Sequence, residues 1–521
     1  MEKSTIRSQV DEVIGASLPP CSSSSEESKD SEKKKVPSDV EKGTVADAEL
    51  ILDQHGLPLI PQPSKFKDDP LNWSARLKWL VLIQVSIMAF LGPFNAGLIN
   101  PSLMVVARAM HQTPKVAAYS TTLAIIMGGL SPFLWAPIAN IYGRRPITLL
   151  AILMTTAGEA GSAASQNFSA LLANRALAGF GFGGMMWVGT AVVNDIFFEN
   201  ERGEKTGVYT IFVTNGAHIA ALIGGYLGQT AGWRWDYWLG SFITATCLVV
   251  ALFCFPETLF CRDPQFLSSK IHERTYVQML WDFKGNIIPG RKLKMGDFMQ
   301  SFHMLKYPSI TFPFWYYTWA WTFINVLPAI SLAAIYAKFY HLRAGPVGIC
   351  LGVSLCIGSV LGEICAGRAS DYICYVMAKR NGNVRKPEHR LYLSTLSAIF
   401  MPVGVIIFGA CVGKTGYITP LVGLGIGVFG LQIASTCLYA YISDCYKAQS
   451  SESGVLFNLS RGLSFCVGFF ALPYADKVGY FWAWFTFASV IFVSFIPIAG
   501  LMIWGDKWRT RLGTPNFHQY L

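Results

Sequence analysis

The stretch Tyr142-Gly143-Arg144-Arg145-Pro146 lies between two long apolar runs, at 116–139 and 146–165. Glycine permits a tight turn between two helices. In membrane proteins, basic residues concentrate in the loops that stay on the cytoplasmic side. The stretch is therefore predicted to be a cytoplasmic turn that joins two membrane-spanning helices.

Similar apolar runs fill nearly all of the chain after residue 75. Hydrophobic residues make up 52% of the 521 residues and charged residues only 14%, whereas a soluble domain carries about 25% charged residues. A helix needs about 20 apolar residues to cross a bilayer, so the length accommodates twelve spans joined mostly by short turns. The spans are predicted at 78–103, 116–139, 146–165, 169–192, 205–228, 236–256, 308–336, 346–368, 391–412, 417–441, 454–475 and 480–504.

The longest connection follows the sixth span, and we therefore predict an all-α membrane protein whose twelve transmembrane helices form two six-helix bundles. The N-terminal segment is predicted to be disordered, because a run such as 22–30 buries too little apolar surface to fold. The basic loops fall on one side of the membrane if both termini are cytoplasmic. The predicted parts are a cytoplasmic tail at 1–75, bundles at 76–257 and 308–504, a cytoplasmic linker at 258–307 and a second tail at 505–521.

Several functional classes are excluded by the residue pattern. The twelve cysteines include no Cys-x-x-Cys pair, and thiols inside apolar runs behave as small hydrophobes. The sequence shows no metal cluster, nucleophile triad or phosphate loop. The net charge of +10 resides in loops between spans, as topology requires. We therefore expect no enzyme activity, no cofactor, no metal and no nucleic-acid partner.

Five motifs in the loops and spans carry a resemblance to a known family. They are Asp69-Pro-Leu-Asn-Trp73, Tyr142-Gly-Arg-Arg-Pro146, Asn174-Arg-Ala-Leu-Ala-Gly179, Phe255-Pro-Glu-Thr258 and Asn381-Gly-Asn-Val-Arg-Lys-Pro-Glu-His-Arg390. With these motifs in this order over 69–509, the chain resembles fungal major facilitator superfamily transporters, in particular the twelve-span drug:proton antiporter family.

The resemblance implies the major facilitator fold, with a small organic solute held between the two bundles and moved by alternating access. It implies proton-coupled efflux of a toxin, drug or secondary metabolite by a monomer in the plasma membrane. Two positions depart from the family pattern, because Asn140 replaces an acid and Ala220-Ala221 replaces Gly-Pro. Proton-coupled uptake of an organic cation or nutrient, and a nutrient sensor derived from a transporter, are the alternatives.

Four ionisable residues inside predicted spans are candidates for proton coupling. Glu159 and Glu363 are the intramembrane acids, and a buried carboxyl group can exchange a proton near neutral pH. The alternatives are that Glu159 reaches the outer interface and that Glu363 belongs to a salt-bridge network with Arg368 and Asp371. Arg175 either sets the field around a carboxylate or snorkels to the surface.

The fourth candidate, His218, titrates near physiological pH in its ordinary state, and its alternative is a hydrogen-bonded residue buried within the bundle. Arg144 and Arg145 are either a conformational latch that binds helix ends and acids or a topology signal alone. Asp195 and Arg202 are expected in the same charge network.

Spans one, four, seven and ten are expected by resemblance to line the solute cavity. Span seven is rich in aromatic residues, which suit a hydrophobic or cationic organic molecule. Packing remains the alternative for each residue individually. The candidate lining residues are Asn95, Asn100, Trp187, Asn194, Trp315, Trp319, Asn325, Gln432 and Tyr439.

Overall fold

The computed structural model describes residues 61–262, 267, 272–281, 293–380, 386–446, 449–513 and 515. Within these ranges, twelve helical segments are long and apolar enough to cross a membrane. In chain order they are α1 Ala75–Ala109, α2 Tyr119–Tyr142, α3 Arg144–Ala164, α4 Phe168–Ile196, α5 Glu204–Thr230, α6 Trp233–Cys254, α7 Pro308–Tyr340, α8 Ala344–Met377, α9 Pro387–Cys411, α10 Ile418–Cys445, α11 Ser451–Val478 and α12 Tyr480–Leu512.

Every predicted span overlaps one of these segments, so the predicted number and order of spans are confirmed. The largest differences are at the ends of α8 and α12, which extend to Met377 and Leu512. A helix does not have to end where its apolar run ends, because polar residues continue the same backbone hydrogen bonds in water.

Several spans are interrupted by tighter or wider turns. The α7 segment contains a π-helical turn at Thr322–Val326. Pro328 follows that turn and lacks a backbone N–H, so a regular α-helix cannot pass through this point without losing a hydrogen bond. The other interruptions are 3₁₀ turns at Asn100–Ser102 in α1 and Ser464–Cys466 in α11, and a break in α2 between Tyr119–Leu130 and Pro132–Tyr142. The α9 segment begins with a 3₁₀ helix at Pro387–Leu393.

The spans form two bundles of six, as predicted. In the first half, α3 packs against α4 and α6, and α1 packs against α4 and α5. In the second half, α9 packs against α10 and α12 as α3 does against α4 and α6, and α8 packs against α10 as α2 does against α4. The halves meet where α5 runs along α8 and where α2 runs along α11.

Glycine allows the two halves to approach closely at these contacts. A Cβ atom added at Gly129 of α2 would lie 2.5 Å from the Cα of Gly462 in α11. A Cβ at Gly348 of α8 would lie 2.3 Å from the carbonyl oxygen of Ala221 in α5. Small residues permit such backbone contact in lipid, where apolar side chains gain nothing by leaving the hydrocarbon.

One end of the bundle carries the basic loops, and we call it the basic end; the opposite end is called the far end. Asp69 lies at the basic end, caps the 3₁₀ turn Pro70–Asn72 and pairs with Arg262 at 2.9 Å. The predicted disorder up to residue 75 does not hold for this segment, because the ion pair and the buried Leu71 and Trp73 fix it against the bundle. Residues 1–60 of the predicted tail lie outside the described residues.

The described parts of the predicted linker contain short helices at Tyr276–Trp281 and Gln300–His303, with 3₁₀ turns at Met295–Met299 and Met304–Lys306. The predicted second tail, 505–521, begins inside α12 rather than after it. Its first turns remain helical, with basic side chains in the last turn of the helix, where cations are favourable.

The contact between Gly129 and Gly462 gives a stability prediction. We expect Gly129→Val to destabilise the folded chain by about 1–3 kcal/mol, because backbone atoms cannot give way to an inserted side chain as flexible side chains can. Thermal unfolding of the purified protein in detergent measures this change. Gly416→Val is the matched control, since a Cβ there meets no atom within 4 Å; equal unfolding temperatures for the two variants would contradict the prediction.

Candidate functional site: a cavity between the two halves

A partly open cavity lies between the two halves, with about 630 Å³ of unfilled space that includes its mouth. Helices α1, α2, α4 and α5 of the first half and α7 and α11 of the second half contribute to it. Its wall is largely apolar, as is usual for sites that bind small organic molecules. The polar side chains in the wall are those of Asn100, Asn325, Asn458 and Arg461.

Arg461 is the cation of this cavity, and only 5% of its surface is exposed. Its Nε donates a hydrogen bond to the Tyr317 hydroxyl at 3.1 Å, and its Nη1 lies 3.5 Å from Oδ1 of Asn458. The guanidinium carbon is 4.8 Å from the centre of the Trp321 ring and 5.8 Å from that of Tyr439. Among the described residues, no carboxylate lies within ion-pair distance of this guanidinium.

A second cavity, of about 390 Å³, lies toward the basic end. Tyr439 and Phe457 line it, and their rings stack with centroids 3.7 Å apart. Tyr317 contacts both of these rings. Tyr317, Trp321, Tyr439 and Phe457 therefore form an aromatic cluster beside Arg461, in which Trp321 lines the central cavity and Tyr439 and Phe457 line the second cavity.

The π-helical turn of α7 places Asn325 in the wall of the central cavity. Its Nδ2 lies 3.2 Å from Nε2 of His218 in α5, so this contact joins the two halves. His218 is buried, which fits the hydrogen-bonded alternative for this residue. Wide turns of this kind are often found at functional sites, and the aromatic sequence of α7 gave no indication of one.

Glu159 and Arg175 form an ion pair in the first half, with Oε1 and Nη1 2.6 Å apart. Both side chains are buried, with 1% and 0% of their surface exposed. The alternatives that Glu159 reaches the outer interface and that Arg175 snorkels are therefore wrong. The Arg175 guanidinium also lies over the ring of Tyr237 at 5.2 Å.

Asp236 is a buried acid in α6 that the sequence analysis missed. None of its surface is exposed, and within the described chain neither carboxylate oxygen has a hydrogen-bond partner of good geometry. A Cβ at Gly228 would lie 2.8 Å from Oδ2 of Asp236 and 1.9 Å from Oγ of Ser102. A side chain at position 228 would therefore collide with Ser102 and crowd the carboxyl group. Its position as the first residue of predicted span six was the available signal.

Glu363 in α8 is held by two residues of α10. Its Oε2 accepts hydrogen bonds from Nε2 of Gln432 and Oγ1 of Thr436, both at 2.7 Å. The side chains of Arg368 and Asp371, its predicted partners, lie outside the described side chains. In the described ranges, no three His, Cys, Asp or Glu side chains converge as a metal site would require.

The arginine pair at the start of α3 organises the basic end of the first half. Nε of Arg144 lies 2.7 Å from Oδ2 of Asp195. Arg145 donates hydrogen bonds to the carbonyl groups at the end of α6, including those of Ala251 at 3.1 Å and Leu252 at 2.8 Å, and that of Phe255. These contacts satisfy carbonyl groups that a helix end leaves without partners.

Glu257 caps the start of α3 from the other side. Its two carboxylate oxygens accept the N–H groups of Arg144 at 2.9 Å and Arg145 at 3.0 Å. Burial raises the pKa of Glu257, while the N–H groups of Leu259, Arg144 and Arg145 act in the opposite direction. At Asp69, burial is the largest single influence and acts to raise the pKa, but Arg262 together with the N–H groups of Ser64 and Leu71 outweighs it, and the pKa is lowered.

Asn140 connects this charge cluster to the second half. Its Oδ1 accepts from Nη1 of Arg144 at 2.8 Å, and its Nδ2 donates to Oε1 of Glu452 in α11 at 3.4 Å. An amide can do both, whereas the acid usual in the family would place a second negative charge beside Glu452. The indole of Trp187 adds a second link, because it donates to the carbonyl of Ser451 at 3.1 Å.

The basic end of the second half contains a similar pair, since Arg390 lies 2.5 Å from Asp444. Arg202, expected in the charge network, donates to the carbonyl groups of Phe197 and Asn194 at 3.0 Å.

The predicted lining residues separate into three groups. Asn100 and Asn325 line the central cavity, and Asn194 and Tyr439 line the second cavity. The remaining five are not in the wall of either cavity, because other contacts hold them or because they face outward. Asn95 packs near Arg175, Trp187 bonds Ser451, Gln432 bonds Glu363, Trp319 stacks on Phe323, and Trp315 is 48% exposed.

Comparisons with known proteins agree on one family. The sequence model of the Major Facilitator Superfamily matches residues 85–469. The MFS transporter cpaT of Aspergillus oryzae is 26% identical over 398 residues, which cover 74% of this chain and 78% of cpaT. The efflux pump vrtL of Penicillium aethiopicum is 25% identical over 430 residues, which cover 80% of this chain and 83% of vrtL. The solved structure of the xylose transporter XylE from E. coli has a TM-score of 0.59 at 13% identity, covering 82% of this chain and 97% of XylE, and it shares the fold.

The contacts of Arg144 give a prediction for the basic end. We expect Arg144→Gln to lower the stability of the folded chain, because it leaves the mostly buried carboxylate of Asp195 without its cation. Removing one partner of a buried ion pair costs about 3–5 kcal/mol, and the 15% exposure of Asp195 places the loss near the lower figure. Thermal unfolding of the purified variants measures it.

Lys338→Gln is the control, because its ion pair with Asp476 is exposed on both sides and screened by solvent. We expect no measurable change in that variant. If Arg144→Gln unfolded at the same temperature as the control, the Arg144 pair would contribute nothing to the folded state.

Proposed function

Because the chain belongs to the Major Facilitator Superfamily, we propose that it is a proton-coupled secondary transporter that exports a small organic compound by alternating access. The match confirms the family and fold class predicted from the loop motifs, and it makes the chain a multi-pass membrane transporter rather than an enzyme. The observation that carries the proposal is the cavity between the halves, which has buried ionisable side chains on both sides of it.

The cavity and its surroundings support alternating access. Its wall is divided between the two halves, so rocking of one half against the other would open it on either side. At the basic end the halves are joined by a few polar contacts, two of them long, namely Asn140 with Glu452 and Asn194 with Ser443 at 3.4 Å, and one of 3.1 Å from the Trp187 indole to the Ser451 carbonyl. Contacts of this kind break and re-form at little cost, which suits the latch interpretation of the Arg144 cluster.

Two carboxyl groups support proton coupling in different ways. Protonation of Glu159 would remove the charge that balances Arg175, which itself cannot lose its proton. A proton on Glu159 would therefore change the field in the first half. Glu363 has two neutral donors and, among the described side chains, no cation within ion-pair distance. Its charge would change without breaking an ion pair, and it lies where α8 approaches Gly207 of α5.

The direction of transport and the location of the protein are inferred from the charge of the loops and from the names of the relatives. Positively charged loops stay in the cytoplasm, so we place the basic end, and with it both chain termini, on the cytoplasmic side of the plasma membrane. Export is favoured over uptake because vrtL is named an efflux pump. Uptake with protons, and sensing without transport, are distinguishable outcomes of one experiment.

That experiment uses inside-out vesicles that contain the full chain, with the interior made acidic. Two xanthene dyes of opposite charge, fluorescein and rhodamine 123, serve as solutes. Export predicts that at least one dye accumulates inside while protons leave, and that the accumulation collapses when a protonophore removes the gradient. Movement of dye out of the vesicle together with protons would establish uptake, and binding without flux would establish a sensor.

The candidate proton sites give a separate prediction. We expect Glu159→Gln, Glu363→Gln or both to abolish gradient-driven accumulation while dye exchange without a gradient persists, because a glutamine cannot carry the proton. Asp476→Asn is the control, since this acid is 53% exposed and lies away from the cavity. Full gradient-driven flux in both glutamine variants would show that neither residue carries the proton.

A further inference from the structure

The buried cation of the central cavity has no matching anion in the described part of the protein. Two other buried arginines are paired with a carboxylate, since Arg175 has Glu159 at 2.6 Å and Arg144 has Asp195 at 2.7 Å. The side chain of buried Arg145 donates to the carbonyl groups at the end of α6. Arg461 is also buried, with 5% of its surface exposed. Its neighbours are instead the phenol of Tyr317, the amide of Asn458 and the rings of the aromatic cluster.

These neighbours use only part of what a guanidinium offers. The group has five N–H donors. Nε is used toward Tyr317, Nη1 contacts Asn458 weakly at 3.5 Å, and the Tyr209 hydroxyl also lies beside the guanidinium. Aromatic faces attract the cation but accept no strong hydrogen bond. Arg461 lies in the wall of the cavity, so its remaining donors are available to a molecule inside it.

We infer that Arg461 binds an acidic group of the transported solute, and that the solute is an aromatic organic anion. This inference rests on the proposed function. A carboxylate matches the guanidinium with two parallel hydrogen bonds. The apolar body of the same molecule would pack against Trp321, Phe182 and Met186, which line the same cavity. Asn100, Asn325 and Asn458 would supply further hydrogen bonds.

The position of Arg461 also makes a cationic solute unfavourable. A second positive charge in the same enclosed space would be repelled by the guanidinium at short range and low dielectric. Of the aromatic residues in span seven that led to the expectation of a cation, Tyr317 and Trp321 contact Arg461 itself, and Tyr439 of α10 contacts it as well. The structure therefore favours an acid where the sequence favoured a neutral or basic molecule.

The acid-binding site belongs to one half of the protein. Arg461 lies in α11 and its hydroxyl partner Tyr317 lies in α7, both in the second half. The apolar residues Phe182 and Met186 lie in α4 of the first half. When the halves separate, the anion would stay with the second half while its ring loses contact with the first.

The test compares two ligands that share one ring system, 1-naphthoate and 1-naphthylmethylamine, on the purified full chain. Thermal stabilisation at increasing ligand concentration measures binding to the wild-type protein. We expect the acid to bind and the amine to bind at least about tenfold more weakly, because one charge-assisted hydrogen bond alone accounts for such a ratio. No stabilisation by the acid, or stronger stabilisation by the amine, would overturn the inference.

Variants then assign the effect to Arg461. Arg461→Gln should weaken binding of 1-naphthoate by about 10- to 100-fold, and Arg461→Lys should recover part of it, because lysine keeps the charge but not the paired donors. Lys338→Gln, which removes an exposed cation, should bind as the wild type does. Unchanged acid binding in a folded Arg461→Gln variant contradicts the inference. The wild-type comparison of acid and amine decides the question if that variant does not fold.

Failure of this inference is separable from failure of the proposed function. If the proton gradient drives rhodamine 123 across the membrane but 1-naphthoate does not bind, the proposal of proton-coupled transport stands and the proposal of an anion site is rejected. Binding of 1-naphthoate that depends on Arg461, with fluorescein flux indifferent to the gradient, would retain the anion site and remove proton coupling.

Discussion

A charge buried inside a membrane-embedded bundle must be balanced by the groups that pack around it, and this constraint organises the protein from end to end. At the basic end, Arg144 meets Asp195 and Arg390 meets Asp444. In the first half, Arg175 meets Glu159. Each pair joins the end or the interior of one helix to its neighbour, so the charges also fix how the helices are arranged within a half. Arg461 differs, because no described carboxylate lies within ion-pair distance of it. This difference marks the cavity that it lines as a site for a bound anion.

Backbone contact between small residues is the second constraint, because it decides where the two halves touch. The approach of Gly129 to Gly462 lies at the wall of the central cavity, so at this point the two halves meet through backbone rather than through interlocking side chains. Flat contacts of this kind separate without repacking a core. The π-helical turn of α7 also contributes to the contact between the halves, because it turns Asn325 toward His218 in the other half.

The fold was predictable from the sequence because it depends on long features, namely twelve apolar runs and a set of loop motifs. These features can be recognised even when the predicted ends of each helix are wrong by several residues. The candidate site was less predictable, because cavity walls depend on which face of a helix turns inward. Asn100 and Asn325 were placed correctly, whereas Trp187 and Gln432 are held by polar partners that only the folded chain brings near. Arg461 and Asp236 lay inside predicted spans, and the rule that selected Arg175 applied equally to them.

The two proposals together fix the charge that moves in one transport cycle. Export of a monoanion in exchange for one entering proton transfers two positive charges inward, and each charge contributes about 2.3 kcal/mol for every 100 mV of membrane potential. An inside-negative potential of that size would thus add about 4.6 kcal/mol to the driving force. Uptake of the same anion with one proton would move no net charge and gain nothing from the potential. A fixed cation such as Arg461 in the cavity therefore suits an exporter driven by voltage as well as by the proton gradient, since it holds the anion against the same field that expels it.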